Sequence, residues 1–165
     1  MIPKIRIETF SKQDWTAIAD IYQKGIDTGI ATFETIAPNW SNWDATHFQH
    51  CRFKAVTDDK IIGWAALSPV SKRYVYHGVA EVSVYVDPEQ HSQGIGTWLL
   101  TRLIAQSEIE GIWTLQSSIF TENTSSIMLH KKLGFREIGY REKVGQRNGK
   151  WYDNILMEKR NKNII

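Results

Sequence analysis

Hydrophobic and polar positions along the chain switch repeatedly between two periods. "KIRIE" (4–8) alternates with period two and predicts a strand. In "SKQDW", Ser11 stands three residues before Asp14 in a capping-box arrangement. Trp15, Ile18, Ala19, Tyr22 and Ile26 follow at helical spacing, predicting a helix that ends near Asp27 to Gly29. "TGIATFETIAPN" is irregular, and a second capped helix is expected from Ser41. "FKAVTDDKIIGWAALSPV" reads as strand, turn, strand, with "TDDK" as the hairpin connection. "HGVAEVSVYVDP" is a further strand, stopped by Pro88. From Gly96, the residues Leu99, Leu100, Leu103 and Ile104 form a helical apolar stripe, and "IWTLQSSI" returns to a strand. "NTSSIMLHKKLGF" predicts a helix capped by Asn123 and ended by Gly134. The strands "REIGYREKVG" and "KWYDNILMEK" flank Asn148-Gly149, a strong hairpin signal. The order β-α-α-β-β-β-α-β-α-β-β implies an α/β chain of the mixed α+β kind, with helices packed on the faces of one mixed sheet.

Composition narrows the function classes. The 165 residues suit a single domain, 1–165, and 42% apolar with 23% charged residues is ordinary for a globular protein. A net charge of +2 without a Lys/Arg block argues against nucleic acid as a partner. The lone Cys51 leaves no internal disulfide and makes a zinc cluster unexpected, so no metal is anticipated. "MIPKIRIETF" lacks the apolar core of a signal peptide, and no stretch reaches the roughly 18 apolar residues of a membrane span. A cytoplasmic chain with no membrane partner is the expectation. Seven tryptophans exceed what such a core needs, so some are expected to line a binding cavity.

Gly94-Ile95-Gly96 stands between a strand and a helix. It is either a plain tight turn or an anion cradle, because the first N–H groups of a helix are unpartnered and the helix dipole is positive there. No Lys follows Gly96, which excludes a P-loop. Leu99 occupies the third glycine of a Rossmann fingerprint, and "LQSSIF" offers no acidic residue for a ribose.

The segments "VSVYVDPEQHSQGIGTWLL" and "NTSSIMLHKKLGF" together resemble the two acetyl-CoA-contacting blocks of the GCN5-related N-acetyltransferases, or GNAT family. That family carries Gln/Arg-x-x-Gly-x-Gly/Ala after a strand, and His91 replaces the usual first residue here. The resemblance implies a GNAT fold with a central, mostly antiparallel mixed sheet, and acetyl-CoA as co-substrate. It places the acetyl-CoA contacts on Val84, Tyr85 and Val86 of the strand. A second set falls on His91, Ser92, Gln93, Gly94, Ile95, Gly96 and Thr97, and a third on Asn123 and Ser126. "TGIATFET", "SKRYVYHGVAEVSVYVDP" and "MLHKKLGF" are most similar to the phosphinothricin and methionine sulfoximine acetyltransferases. Those relatives imply a small amino-acid-like amine as substrate and a homodimer as the assembly.

Acyl transfer to an amine needs a base, a donor for the developing oxyanion and a proton for the departing thiolate. Glu81 alternates with Val82, Val84 and Val86, and a carboxylate in such a strand is either paired with a cation or used. The resemblance favours its use as base. It also places His130 where the broader family has a tyrosine, to protonate the leaving sulfur or to help take the amine proton. Lys72, Arg73 and Tyr76 of "SKRYVY" are expected to bind the substrate, with Arg73 suited to a carboxylate or phosphinate. Phe33 and Glu34 would form the opposite wall. Open alternatives are a GNAT enzyme acting on a protein N-terminus or polyamine, and a non-catalytic acyl-CoA sensor.

Overall fold

A computed structural model describes residues 4–164. Its seven strands are β1 (Arg6–Thr9), β2 (Phe53–Thr57), β3 (Lys60–Pro69), β4 (Val79–Val86), β5 (Thr114–Phe120), β6 (Arg136–Arg147) and β7 (Lys150–Arg160). The helices are α1 (Trp15–Asp27), α2 (Trp40–Thr46), α3 (Ile95–Ile109) and α4 (Thr124–Lys132). Their order along the chain is the one the periodicities predict.

Local chemistry sets most boundaries. Asp14 accepts the Ser11 N–H at 3.0 Å ahead of α1. Asp58 and Asp59 both have positive φ, as do Asn148 and Gly149, so each hairpin turns through two left-handed residues. One boundary differs from expectation. Asn39, not Ser41, caps α2, accepting the Asn42 N–H at 2.9 Å. This start puts Trp40 and Trp43 three residues apart on one helix face, where they stack at 5.8 Å between ring centroids.

The sheet order is β1-β2-β3-β4-β5-β7-β6. All neighbours are antiparallel except β4 and β5, which run parallel. On one face, Leu99, Leu100 and Leu103 of α3 pack on Ile62, Ala65, Leu67 and Ala80. On the other, α1 and α2 bring Trp15, Ile18, Ile21 and Trp43 onto Trp64 and Ala66. Trp15, Trp43 and Trp64, with Trp40 packed against them, thus build this second core, and no tryptophan lines the large cavity described below. Among the described residues no helix is long and apolar enough to cross a membrane.

Candidate active site

Only three residue pairs register β4 with β5: Val79 with Thr114, Ala80 with Leu115 and Glu81 with Gln116. Beyond Glu81 the two strands part. β4 keeps its full antiparallel pairing to β3 through Val86, so its other edge, facing β5, is left without ladder partners. A cavity of about 910 Å³ opens in the gap. Its lining takes Glu81, Ser83 and Tyr85 from one face of β4 and Val82, Val84 and Val86 from the other. Alternate residues of a strand point to opposite faces, so one cavity reaches both only where the neighbouring strand has moved away.

The glycine turn forms one end of this cavity. His91, Ser92, Gly94, Ile95, Gly96 and Thr97 line it; Gln93 does not, and bonds Gln90 instead at 3.1 Å. Ser92 (φ 67°) and Gly94 (φ 77°) are both left-handed ahead of α3, and left-handed residues in such turns gather successive N–H groups into anion-binding concavities. Nothing lies within 4 Å of where a Gly94 Cβ would be, so its glycine is required by φ. Gly96 packs closely on α4, where a Cβ would sit 3.2 Å from the end of the Leu129 side chain. The His91 ring turns back to the Val86 carbonyl at 3.2 Å, leaving backbone as the main surface of the turn. Across the gap, Asn123 and Ser126 line the cavity at the start of α4, where Asn123 Oδ1 caps the helix by accepting the Ser126 N–H at 3.3 Å. Backbone donors, two helix starts and an open gap fit the phosphates and pantetheine arm of a CoA thioester.

Glu81 lines the cavity at the point where β4 and β5 begin to part. Burial raises its carboxyl above the ordinary carboxylate range, and the Gln116 amide, which donates to Oε2 at 3.5 Å, works against that rise. No lysine or arginine pairs with it among the described residues, so the ion-pair alternative for this residue is not what the fold builds. His130, on α4, is 4% exposed and donates Nδ1–H to the Ser126 carbonyl at 2.7 Å. Burial lowers its pKa, while the Ser126 bond opposes that. Its Nε2 has no partner. The ring is thus a neutral imidazole with a free lone pair.

Phe33 and Glu34 also line the cavity. Phe33 is fixed against Phe120 and Tyr152, and over Gly145, where a Cβ would come within 2.5 Å of its ring. Lys72, Arg73 and Tyr76 are not brought to this cavity. The β3–β4 connection folds into a short 3-10 turn at Tyr74–Tyr76. There Tyr74 stacks on His77 and His77 meets Trp113, which holds the loop against the sheet's end with Arg73 exposed over Tyr76. In their place the lining holds Gln116, Ser118, Arg141 and Asn154, which the sequence reading missed. For Asn154 the signal was available in "YDNILM", where it stands between Tyr152 and Leu156 on one strand face; Gln116 and Ser118 share a largely polar face, and the pattern does not single out Arg141.

Comparison with known proteins agrees with this geometry. A family model described as an acetyltransferase (GNAT) domain matches residues 7–156. The chain is 32% identical over 157 residues to the phosphinothricin N-acetyltransferase of Alcaligenes faecalis, covering 88% of this chain and 77% of that one. It is 33% identical over 99 residues to the L-methionine sulfoximine/L-methionine sulfone acetyltransferase of Pseudomonas aeruginosa, covering 60% of this chain and 58% of that one. A phosphinothricin acetyltransferase from Sinorhizobium meliloti, solved in complex with acetyl-CoA, superposes with a TM-score of 0.83 at 28% identity, over 97% of this chain and 89% of that one. A parted β4–β5 pair, a left-handed glycine turn and a family match across nearly the whole chain lead to one conclusion: this protein belongs to the GNAT acetyltransferase family.

Proposed function

We propose that the protein transfers acetyl from acetyl-CoA directly to the α-amino group of a small amino-acid analogue, of the phosphinothricin, methionine sulfoximine or methionine sulfone type. The observation that carries this reading is Glu81, a half-buried carboxylate without a cation, on the cavity wall beside the gap between β4 and β5. Such a group is costly unless used, and its raised pKa brings it closer to a base working near neutrality.

The turn from His91 to Thr97, with Asn123 and Ser126, would hold acetyl-CoA, which supplies the activated thioester when bound. Glu81 takes the proton from the amine, directly or through a water. An unpaired N–H in the Val84–Val86 stretch of β4 donates to the oxygen on which negative charge develops. His130 enters neutral, so it accepts at Nε2 the further proton that the nitrogen sheds once its bond to the acetyl carbon has formed, and returns that proton to the departing sulfur as the carbon–sulfur bond breaks. Phe33 and Glu34 close the acceptor side. We further propose that the enzyme works as a cytoplasmic homodimer, since Tyr74, Val75, Tyr140 and Trp151 leave large apolar surfaces open to solvent.

The test is a thiol-release assay with acetyl-CoA across phosphinothricin, methionine sulfoximine, methionine sulfone, polyamines and N-terminal peptides. The expected result is turnover on the amino-acid analogues well above the others. Turnover confined to polyamines or peptides would replace the acceptor, and CoA binding without transfer to any amine would make the protein a sensor.

A further inference from the structure

Across the sheet from Glu81, the cavity floor contains a polar group that the chemistry above does not use. Asn154 on β7 is 4% exposed; its Nδ2 donates to Ser118 Oγ at 2.8 Å, while its Oδ1 has no partner at all. A buried acceptor left empty is rare and points to a donor that arrives later. Arg141 stands directly opposite Asn154 on β6 and lines the same cavity. Its guanidinium has no ion-pair partner among the described residues. Immediately after Arg141 the β6–β7 register shifts, with Lys143 in a left-handed conformation and its N–H held by Asp153 at 2.7 Å. Bulges of this kind re-aim a neighbouring side chain and gather beside functional sites.

The spacing gives the pair a scale. The order β4-β5-β7-β6 puts three strand spacings, roughly 14 Å, between the strands carrying Glu81 and Arg141, and the register sets Arg141, level with Asn154 and Phe120, four residues or roughly 13 Å further along than Glu81, level with Gln116. Glu81 reaches in from one side and Arg141 from the other, over a floor of Gln116, Ser118 and Leu156. The gap left between the two charged ends suits a molecule of a few carbons.

We propose that Arg141, steadied by the free Oδ1 of Asn154, is the receptor for an anionic group of the acceptor, so that the site selects amines bearing an acid a few bonds from the nitrogen. The proposal rests on the acetyltransferase reading for the position of that amine. With one guanidinium N–H held by Asn154, the remaining fork presents two parallel donors to a carboxylate or phosphinate. Lysine could not serve in the same way, because its ammonium offers no planar fork.

The experiment compares the wild type with Arg141→Gln and Asn154→Ser on methionine sulfone, phosphinothricin and the carboxamide of each. Calorimetric binding of methionine sulfone to the CoA-bound protein is measured in parallel. Arg141→Gln is expected to raise KM for the free acids about ten- to hundredfold, the range of a lost charge-assisted bond, with kcat little changed. Methionine sulfone carboxamide, which has no anion, should respond to neither substitution. Asn154→Ser should give a smaller loss of the same pattern, whereas a purely structural role would weaken all four substrates equally. Persistent sensitivity of phosphinothricin carboxamide would assign Arg141 to the phosphinate, and its absence to the α-carboxylate; both uphold an anion receptor. Equal effects of Arg141→Gln on acids and methionine sulfone carboxamide, or none on either, would overturn it. Should the wild type acetylate nothing, the functional reading falls, and calorimetry alone decides the subsite: loss of methionine sulfone binding in Arg141→Gln upholds it, and unchanged binding refutes it.

Discussion

Glu81 and His130 share one cavity, and burial moves them in opposite directions. It raises the carboxylic acid and lowers the imidazole, in each case by penalising the charged form. A base active only when ionised therefore gives a pH–rate profile whose acid limb lies above the ordinary carboxylate range. Replacing Gln116 by Leu removes the bond that opposes the rise, so the limb should move to higher pH; a limb that stays put would separate Gln116 from Glu81. The same shift has a consequence for stability. A carboxyl whose folded pKa is raised stabilises the fold when protonated, and that contribution is lost as pH rises through the folded pKa. At neutral pH Glu81 is thus a cost to folding, and Glu81→Gln should keep or raise the melting temperature while lowering turnover roughly 100- to 10,000-fold, the range of general-base catalysis. Glu81 was legible in the sequence because a charge interrupts "AEVSVYV". Asn154 carries the same signal more faintly, being neutral. Lys72 and Arg73 do not line the cavity, and their sequence could not show it, because a loop charge carries no information about the direction it faces.

Elements were legible where their causes are local. Paired left-handed residues at Asp58-Asp59 and Asn148-Gly149 fix both hairpins without help from the rest of the fold. The start of α2 was harder, since Asn39 and Ser41 are both good caps and the choice depends on where Trp40 and Trp43 must point. Two variants check this choice by chemical denaturation. Asn39→Ala should cost about 1 kcal/mol, and Ser41→Ala, inside the helix, a few tenths at most. Gly25 tests a contact between elements. In an isolated helix Gly→Ala gains about 1 kcal/mol. Here a Cβ would lie 2.5 Å from Tyr85 Cδ1, and overpacking of that kind costs about 1–3 kcal/mol. Gly25→Ala is therefore expected to lower the melting temperature, and because Tyr85 lines the cavity, also to raise KM. A higher melting temperature would mean that the Tyr85 ring yields freely.

At the scale of the whole molecule, the feature that makes a site is the one the sequence could not supply. The strands β4 and β5 are legible singly, but their parting after Glu81 is a matter of pairing between distant segments that no local signal announces. The pairing of β5 with β7, too, is long-range and not set by any turn. The open gap exposes the β5-facing N–H and C=O groups of the Val82–Val86 segment, a sheet edge inside the molecule. A ligand laid along that edge joins the two halves of the sheet and binds only the folded state. Its free energy then adds to stability as RT ln(1 + [L]/Kd), about 2.7 kcal/mol at a hundredfold excess over Kd. For a domain of this size each kcal/mol is worth about 2–4 °C, so CoA at that excess should raise the melting temperature by roughly 5–10 °C. Hydrogen exchange should locate the effect, with new protection at alternate amides of Val82–Val86 and at Ser92–Thr97, and little change in β1 and β2. A comparable rise with protection spread evenly over the sheet, leaving the β4 edge as open as before, would mean that CoA binds elsewhere and that the gap is not its seat.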